Sequence, residues 1–272
     1  MGLYRSVLVL TLFYKLSMRF IIFVFIFSMV ISFSLYFTGL YSQFNISNIV
    51  SSGTITILII VFLLKSTHSL RNIDKTWLFI LLALLCWITA EILYGYYSGF
   101  LEVDAYPSLA DFFYVMGYIF FILFLVWVNN TYKIELAFII SSLVTFSLFM
   151  FYILYISVFV FEVYNFSGSI YDLVLLFTYP IVDLFIVIGS IMYYLRGRTI
   201  SINKENTIWI FISLFGFFFF IADLTFGYND LFDKINNEYV FDLYFNIGYL
   251  LLGIAILIRI NFIRGKKNTA NL

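Results

Sequence analysis

Eight long apolar segments divide this chain and constrain its fold more than any other feature. A helix that crosses a bilayer needs about 20 largely apolar residues. Hydrophobic residues form 64% of the chain and charged residues 11%, whereas a soluble domain has about half and about a quarter. Because a soluble core cannot hold this excess, we predict an all-α integral membrane protein with eight transmembrane helices. The segments are 20–40, 49–65, 76–97, 109–128, 136–161, 171–195, 207–228 and 240–262.

The basic residues predict the orientation of these helices. Lysine and arginine are enriched in cytoplasmic loops. With both termini in the cytoplasm, Lys234 is the single one of 15 basic residues on the outer side, which leaves 14 inside. We therefore predict an N-in/C-in protein of the cytoplasmic membrane. The outer loops are acidic instead, with Glu102, Asp104, Glu162, Asp230, Asp233 and Glu238.

Three regions follow from this topology. Residues 1–19 are basic and predict a short amphipathic helix on the cytoplasmic membrane surface, with a frayed tail as the alternative. Residues 20–263 form the eight-helix membrane domain, and 264–272 form a cytoplasmic tail. The net charge is zero, so we expect no nucleic acid partner. One histidine and one cysteine argue against a His/Cys zinc site, and we expect no cofactor.

A short acidic–aromatic pattern occurs twice. The stretch 90–96, AEILYGY, is echoed by 222–228, ADLTFGY, and the stretch 111–118 is echoed by 242–249. Four predicted spans, an even number, separate the copies, so both halves have the same orientation. This is the pattern of a parallel repeat related by an axis along the membrane normal. We predict a parallel 4+4 repeat whose halves are about 20–130 and 136–263.

Five acidic residues lie inside predicted spans, where an ionisable group costs about 2.5–3.5 kcal/mol on insertion scales. Asp183 lies about twelve residues into its segment and so near mid-bilayer, and the others lie in the outer half. No lysine, arginine or histidine lies in the outer half of any predicted span. Three alternatives stay open: the carboxyls carry a proton, they are hydrogen-bonded to tyrosines and helix ends, or they bind a cation. The five are Glu91, Asp111, Asp183, Asp223 and Asp242.

Position along the helix separates these acids. Asp111 and Asp242 begin their helices, where a carboxylate caps the N-terminus and interacts favourably with the helix dipole. Capping and ligand binding are both open for them. Glu91 and Asp223 lie near C-terminal ends, so capping does not explain them. Asp183 follows Pro180, which predicts a kink with a freed carbonyl nearby.

Tyrosines accompany these acids at helical spacing. Side chains three, four or seven residues apart share a helix face, which relates Glu91 to Tyr94 and Asp111 to Tyr114 and Tyr118. Interfacial aromatic belts are the alternative explanation. The predicted ligand pocket comprises the five acids together with Tyr94, Tyr114, Tyr118, Tyr179 and Tyr249. Whether it also takes a metal ion stays open.

The stretch 106–118, YPSLADFFYVMGY, resembles the PSxADxxYxxGY stretch in eight-helix membrane regions of bacterial signalling proteins. Those regions precede diguanylate cyclase and related output modules and are regarded as sensors. The segments 179–183 and 242–249 resemble later parts of the same regions. The resemblance implies a sensory role. Because this sequence contains no cyclase, phosphodiesterase or kinase domain, we expect a separate signalling partner.

The stretch 216–223, GFFFFIAD, is similar to a glycine–phenylalanine–serine–aspartate pattern of lysoplasmalogenase-like eight-helix membrane proteins, with Ala222 where serine is usual. Those proteins also carry an acid in the third helix, here Glu91. Their fourth helix carries a histidine that this chain lacks. The resemblance implies a lipid hydrolase in which Glu91 and Asp223 act as acid and base on a headgroup bond.

We interpret the chain as a non-enzymatic sensory or interaction protein with an acidic–aromatic pocket facing the extracytoplasmic side. Its expected partners are the lipid bilayer, a separate signalling protein, and a small-molecule or cation ligand. The alternative is an intramembrane lipid hydrolase that uses the same carboxylates. A third hypothesis is ion or proton translocation through Asp183, which acids in only one half of the membrane do not favour.

Overall fold

The computed structural model describes residues 46–69, 76–129, 170–200, 206–232 and 239–270, with separate positions between 23 and 34 and between 144 and 152. Throughout these residues the regular elements are helices, and no strand occurs among them. The long helices are α1 (Ile46–Ser69), α2 (Trp77–Gly99), α3 (Leu109–Asn129), α4 (Ile170–Ile200), α5 (Thr207–Phe232) and α6 (Tyr239–Ala270).

Five of these helices are long and apolar enough to cross a membrane. A helix satisfies its backbone hydrogen bonds internally, which is what a lipid environment requires, so the chain is a multi-pass helical membrane protein. Helix α1 is not one of these five, because its described apolar stretch, Asn48–Ile60, is shorter. Six of the predicted segments coincide with α1–α6, whereas 20–40 and 136–161 lie outside the described ranges, apart from separate positions. The apolar spans are Trp77–Gly99, Leu109–Val128, Ile170–Leu195, Thr207–Asp230 and Phe241–Ile260.

The helices contact one another in chain order and close into a ring. Each of α1 to α5 packs against the next helix in the sequence, and α6 packs against α1. The ring therefore brings the second half of the chain beside the first at two seams, α3 against α4 and α6 against α1. Side chains near these seams belong to residues far apart in sequence.

Aromatic side chains fill the space between these helices. Trp87 on α2 is 1% exposed, and its ring centroid lies 5.4–5.8 Å from those of Tyr118, Phe121, Phe215 and Phe219. Those four rings belong to α3 and α5. Aromatic pairs at such separations contribute about 0.5–1.5 kcal/mol beyond the area they bury. Trp87 therefore joins three helices at the centre of the core.

Two glycines allow large rings to lie against bare backbone. A Cβ atom at Gly117 would overlap the indole of Trp87, and one at Gly248 would lie 2.6 Å from the ring of Phe219. Small residues at such positions let membrane helices approach closely. The α2–α3 and α5–α6 contacts are therefore the same kind of contact, an aromatic ring of one helix seated on a glycine of the next.

Helix α4 runs unbroken from Ile170 to Ile200 although Pro180 lies inside it. Proline lacks the N–H group that would bond to the carbonyl four residues earlier. In the same turn, the hydroxyl of Tyr152 donates to the carbonyl of Phe177 at 2.7 Å. The carbonyl that loses its helical N–H is that of Leu176, so Tyr152 bonds the carbonyl next to it, in a helix that continues through Pro180 to Asp183.

Candidate functional site

A cavity of about 290 Å³ lies between the helices at the end next to the loop 100–108. Within the described lining no lysine, arginine or histidine occurs, so the lining carries acidic groups without a basic one. Its rings and hydroxyls are Trp87, Tyr94, Ser98, Tyr106, Tyr114, Tyr118, Tyr179, Phe219, Phe226, Phe241, Phe245 and Tyr249. Its acids and amides are Asn48, Glu91, Asp104, Asp111, Asp223, Asn229, Asp230 and Asp242.

Every residue that the sequence predicted for the pocket lines this cavity except Asp183. Asp183 is 0% exposed. Neither of its carboxyl oxygens has a hydrogen bond of acceptable geometry, although the carboxyl of Asp223 and the hydroxyl of Tyr118 are close enough to interact with it. Because those two residues line the cavity, Asp183 lies directly behind the cavity wall.

Two cavity acids accept hydrogen bonds from tyrosines on distant helices. The hydroxyl of Tyr249 on α6 donates to Oε1 of Glu91 on α2 at 3.1 Å. The hydroxyl of Tyr118 on α3 donates to Oδ2 of Asp223 on α5 at 3.2 Å. The tyrosine hydroxyls that bind these acids therefore come from other helices, not from the same-helix neighbours that sequence spacing indicates.

Asp111 is a helix cap. One of its carboxylate oxygens, Oδ2, accepts the backbone N–H of Ser108 at 2.7 Å. The hydroxyl of Ser108 in turn accepts the N–H of Ala110 at 3.1 Å. This reciprocal arrangement is a capping box at the start of α3. The other oxygen of Asp111 accepts the hydroxyl of Tyr179 at 2.6 Å, so both oxygens have protein donors.

Replacing Ser108 with alanine is expected to lower the free energy of unfolding by about 1 kcal/mol, because an N-cap hydroxyl is lost. Thermal unfolding of the purified protein in detergent measures the change. Ser98→Ala is the matched control, since the Ser98 hydroxyl donates only to a carbonyl of its own helix, that of Tyr94, at 2.9 Å. Its expected effect is within about 0.5 kcal/mol. Equal losses in both variants would contradict the capping assignment.

Asp242 belongs to an amide cluster that joins α1 to α6. The side-chain amide of Asn48 donates to Oδ1 of Asp242 at 2.8 Å. The amide of Asn246 donates to Oδ1 of Asn48 at 2.8 Å, and the hydroxyl of Ser51 donates to Asn246. The carboxylate of Asp242 is therefore held by an amide from α1 at the seam between the two ends of the described chain.

The contribution of α1 is absent from the sequence prediction of the site. Asn48, Ser52 and Thr56 recur every four residues in an apolar segment, and they are 2%, 0% and 5% exposed. Spacing of four places polar side chains on one helix face, and polar groups inside a membrane helix face the protein interior. That stripe is the signal by which the α1 face could have been predicted.

The loop 100–108 also contributes residues that sequence reasoning left out. Asp104 accepts the backbone N–H of Tyr106 at 3.0 Å, and the hydroxyl of Tyr106 donates to the carbonyl of Asp172 at 2.8 Å. Burial and then the nearby carboxylates of Asp111 and Asp230 raise the pKa of Tyr106 above its ordinary value. The hydroxyl therefore keeps its proton at neutral pH and holds the loop against α4.

The cavity acids do not form a metal centre. Across the described ranges no group of three or more His, Cys, Asp or Glu side chains is placed to hold a metal ion. Four of the acids lie on four different helices, and each accepts a hydrogen bond from a partner on another element; they are Glu91, Asp111, Asp223 and Asp242. Such a lining can hold a ligand that meets several separate carboxylates and rings.

Comparison with family models, with curated proteins and with solved structures gives no match for this chain. The resemblances to membrane sensor regions and to lysoplasmalogenase-like proteins therefore stay predictions, and the cavity itself is the basis for assigning a function.

Proposed function

We propose that this chain is a multi-pass membrane protein of the sensory or interaction class, which binds a small ligand in the acidic–aromatic cavity and signals through a separate protein. The observation that carries the proposal is the lining itself. Carboxylates and tyrosines from α2, α3, α5 and α6 meet there, without a basic side chain in the described part. A ligand that contacts all four helices favours one helix arrangement over others, which is the physical requirement for a signal.

In the proposed topology eight helices cross the cytoplasmic membrane, both termini are cytoplasmic and the cavity faces the exterior. The loop beside the cavity, 100–108, contains Glu102 and Asp104 and no basic residue. The segments 70–75 and 196–204, which adjoin the opposite helix ends, contain lysine and arginine. This asymmetry supports the orientation because basic residues are retained on the cytoplasmic side.

Labelling of introduced cysteines tests this orientation. In a Cys86→Ala background, Glu102→Cys is expected to react with a membrane-impermeant maleimide in intact cells, whereas Lys204→Cys is expected to react only after the membrane is permeabilised. The reverse pattern would contradict an outward-facing cavity. Both variants carry one cysteine at a position outside the predicted spans, so the comparison of their reactivity reports the side of the membrane.

We also propose that the two halves are a parallel repeat. Asp111 and Tyr118 precede Asp242 and Tyr249 by 131 residues, and Glu91 precedes Asp223 by 132. Tyr118 donates to Asp223 while Tyr249 donates to Glu91. Equivalent tyrosines thus bind each other's equivalent acids, as an approximate two-fold axis along the membrane normal requires.

Packing contacts support the same axis. Trp87 lies against Gly117 and Phe219 lies against Gly248, and these pairs occupy equivalent positions in the two halves. Trp87 and Phe219 also contact each other, with ring centroids 5.8 Å apart. The proposed axis passes between these two rings, which line the cavity.

A cavity-filling substitution tests the ligand site. Ser98→Phe adds a ring at the lining and is expected to abolish the thermal stabilisation that small molecules give to the purified wild type. Thr89→Phe is the matched control, because Thr89 lies on the same helix, has the same hydroxyl-to-backbone bond and is absent from the lining. Stabilisation that survives in Ser98→Phe, or that no compound of a broad metabolite panel produces in wild type, would overturn the proposal.

A lipid hydrolase is the second candidate, because Glu91 and Asp223 line one cavity and a pair of carboxyls can supply an acid and a base. Incubation of the wild type with a lysolipid panel tests it. Under this candidate Glu91→Gln and Asp223→Asn lose the hydrolysis while remaining folded. Absence of any cleavage by the folded wild type would remove the candidate.

A further inference from the structure

Among the residues that the structure describes, no lysine, arginine or histidine lines the cavity. Arg259 is the one basic residue whose side chain the structure describes, and its guanidinium lies 5.7 Å from the ring centroid of Trp77. Arg259 follows Asp242 by 17 residues on α6, which places it about 25 Å away along the helix axis. A cation from solution therefore meets acidic side chains and no basic one in the described part of the lining.

Glu91 identifies where such a cation would bind. Its side chain is 3% exposed and lines the cavity. Tyr249 occupies Oε1, whereas Oε2 is buried without a hydrogen-bond partner. The hydroxyl of Tyr114 lies near the same carboxylate without completing a hydrogen bond to Oε2. A buried carboxylate oxygen left without a partner costs free energy, and a ligand that donates to it recovers that cost.

No carboxyl oxygen of the other described lining acids is buried without a hydrogen-bond partner. Both oxygens of Asp111 have donors in the capping arrangement, and Asp242 is held by the amide of Asn48. Glu91 also lies more than two turns from either end of α2, so the helix dipole adds no stabilisation to a negative charge there. Among the described lining acids, Glu91 is therefore the one with a buried carboxyl oxygen that has no hydrogen-bond partner.

The cavity walls around Glu91 consist of aromatic rings rather than of oxygen ligands for a metal ion. Rings of Tyr94, Tyr114, Phe245 and Tyr249 line the same cavity, and the faces of such rings attract ammonium groups. A bare metal ion needs several oxygen ligands at short range, and no such cluster exists among the described residues. The cavity volume of about 290 Å³ is close to the lower end of the range for small-molecule sites, about 300–1,000 Å³, which suits a small organic molecule.

We propose that the cavity binds a small organic cation, an amine or a quaternary ammonium compound, with the Glu91 carboxylate as counter-ion and the surrounding aromatic rings as its walls. The inference rests on the proposed ligand-binding function and names the ligand class for it. Under this inference, the contact with the Glu91 carboxylate is the reason that a cationic ligand binds more tightly than a neutral molecule of the same shape.

Choline and its neutral carbon isostere, 3,3-dimethylbutan-1-ol, test the inference by isothermal titration of the purified full-length protein in detergent. The two probes have nearly the same shape and differ in charge. Choline is expected to bind at least about tenfold more tightly, a difference of about 1.4 kcal/mol. Glu91→Gln retains an acceptor for Tyr249 and is expected to remove at least about tenfold of the choline affinity. Glu102→Gln, an exposed charge-removing control outside the lining, is expected to leave it unchanged.

The outcomes separate the inference from the proposed function. Equal binding of choline and the alcohol, unaffected by Glu91→Gln, overturns the organic-cation inference and leaves the cavity as a site for neutral ligands. Binding of neither probe at up to about 10 mM, weaker than about 3 kcal/mol, also overturns the inference, while the Ser98→Phe comparison decides the proposed function separately. The wild-type comparison of the two probes stands even where Glu91→Gln fails to fold.

Discussion

Replacing Trp87 with alanine is expected to lower the free energy of unfolding by about 3–5 kcal/mol, the range for truncating a fully buried large aromatic side chain. The indole is 1% exposed, packs between rings from α3 and α5, and donates its N–H to the carbonyl of Tyr114 at 3.2 Å. Alanine leaves a void where three helices meet. Thermal or denaturant unfolding of the purified protein measures the loss.

Trp127→Ala is the control for this prediction. Trp127 is a tryptophan of α3 that is 63% exposed, so its side chain faces away from the core between the helices. Its removal is expected to change the free energy of unfolding by no more than about 0.5 kcal/mol. Equal losses of unfolding free energy in the two variants would contradict the description of Trp87 as the central side chain of the core.

Gly117→Ala is expected to lower the free energy of unfolding by about 1–3 kcal/mol, the range for overpacking a filled core. The added Cβ would overlap the indole of Trp87, which cannot retreat because it is enclosed by other rings. Gly95→Ala on α2 is the matched control, because its Cβ would lie 3.4 Å from the flexible end of Ile49. Alanine is a better helix former than glycine by about 1 kcal/mol, so Gly95→Ala is expected to be neutral or stabilising.

A second substitution tests whether the overlap with the indole is the cause. Trp87→Phe in the Gly117→Ala background is expected to cost less than the two single losses combined, since a smaller ring leaves room for the new methyl group. Residues in direct contact deviate from additivity by about 0.5–3 kcal/mol. Strict additivity of the two changes, measured in the same unfolding experiment, would show that Gly117 and Trp87 do not interact as described.

The helices and most of the pocket residues could be predicted from the sequence, because both follow from local rules. A bilayer requires a run of apolar residues whose length can be counted along the chain, and α2, α3 and α5 begin within a residue of the predicted positions. An acid inside such a run must face the protein interior. That rule was sufficient to select Glu91, Asp111, Asp223 and Asp242, all of which line the cavity.

The partners of these acids could not be predicted in the same way. Same-helix spacing relates Glu91 to Tyr94, yet the hydroxyl that donates to Glu91 belongs to Tyr249, 158 residues away. Capping and ligand binding were both open for Asp111 until the donor from Ser108 was observed. Asp183 lies one turn beyond Tyr179 on the same face of α4, and Tyr118 and Asp223, which line the cavity, separate it from the cavity.

The sequence alone determined that this chain is helical, apolar and multi-pass, and which of its residues are too polar to face lipid. Length and hydropathy are properties of a segment, so they can be counted without knowing what lies beside it. Only the tertiary structure decided which helices are neighbours, that Tyr118 and Tyr249 bind acids of the opposite half, and that Oε2 of Glu91 is buried without a partner. Those facts depend on how helices rotate and pack against one another, and this arrangement is fixed by many weak contacts between residues distant in sequence.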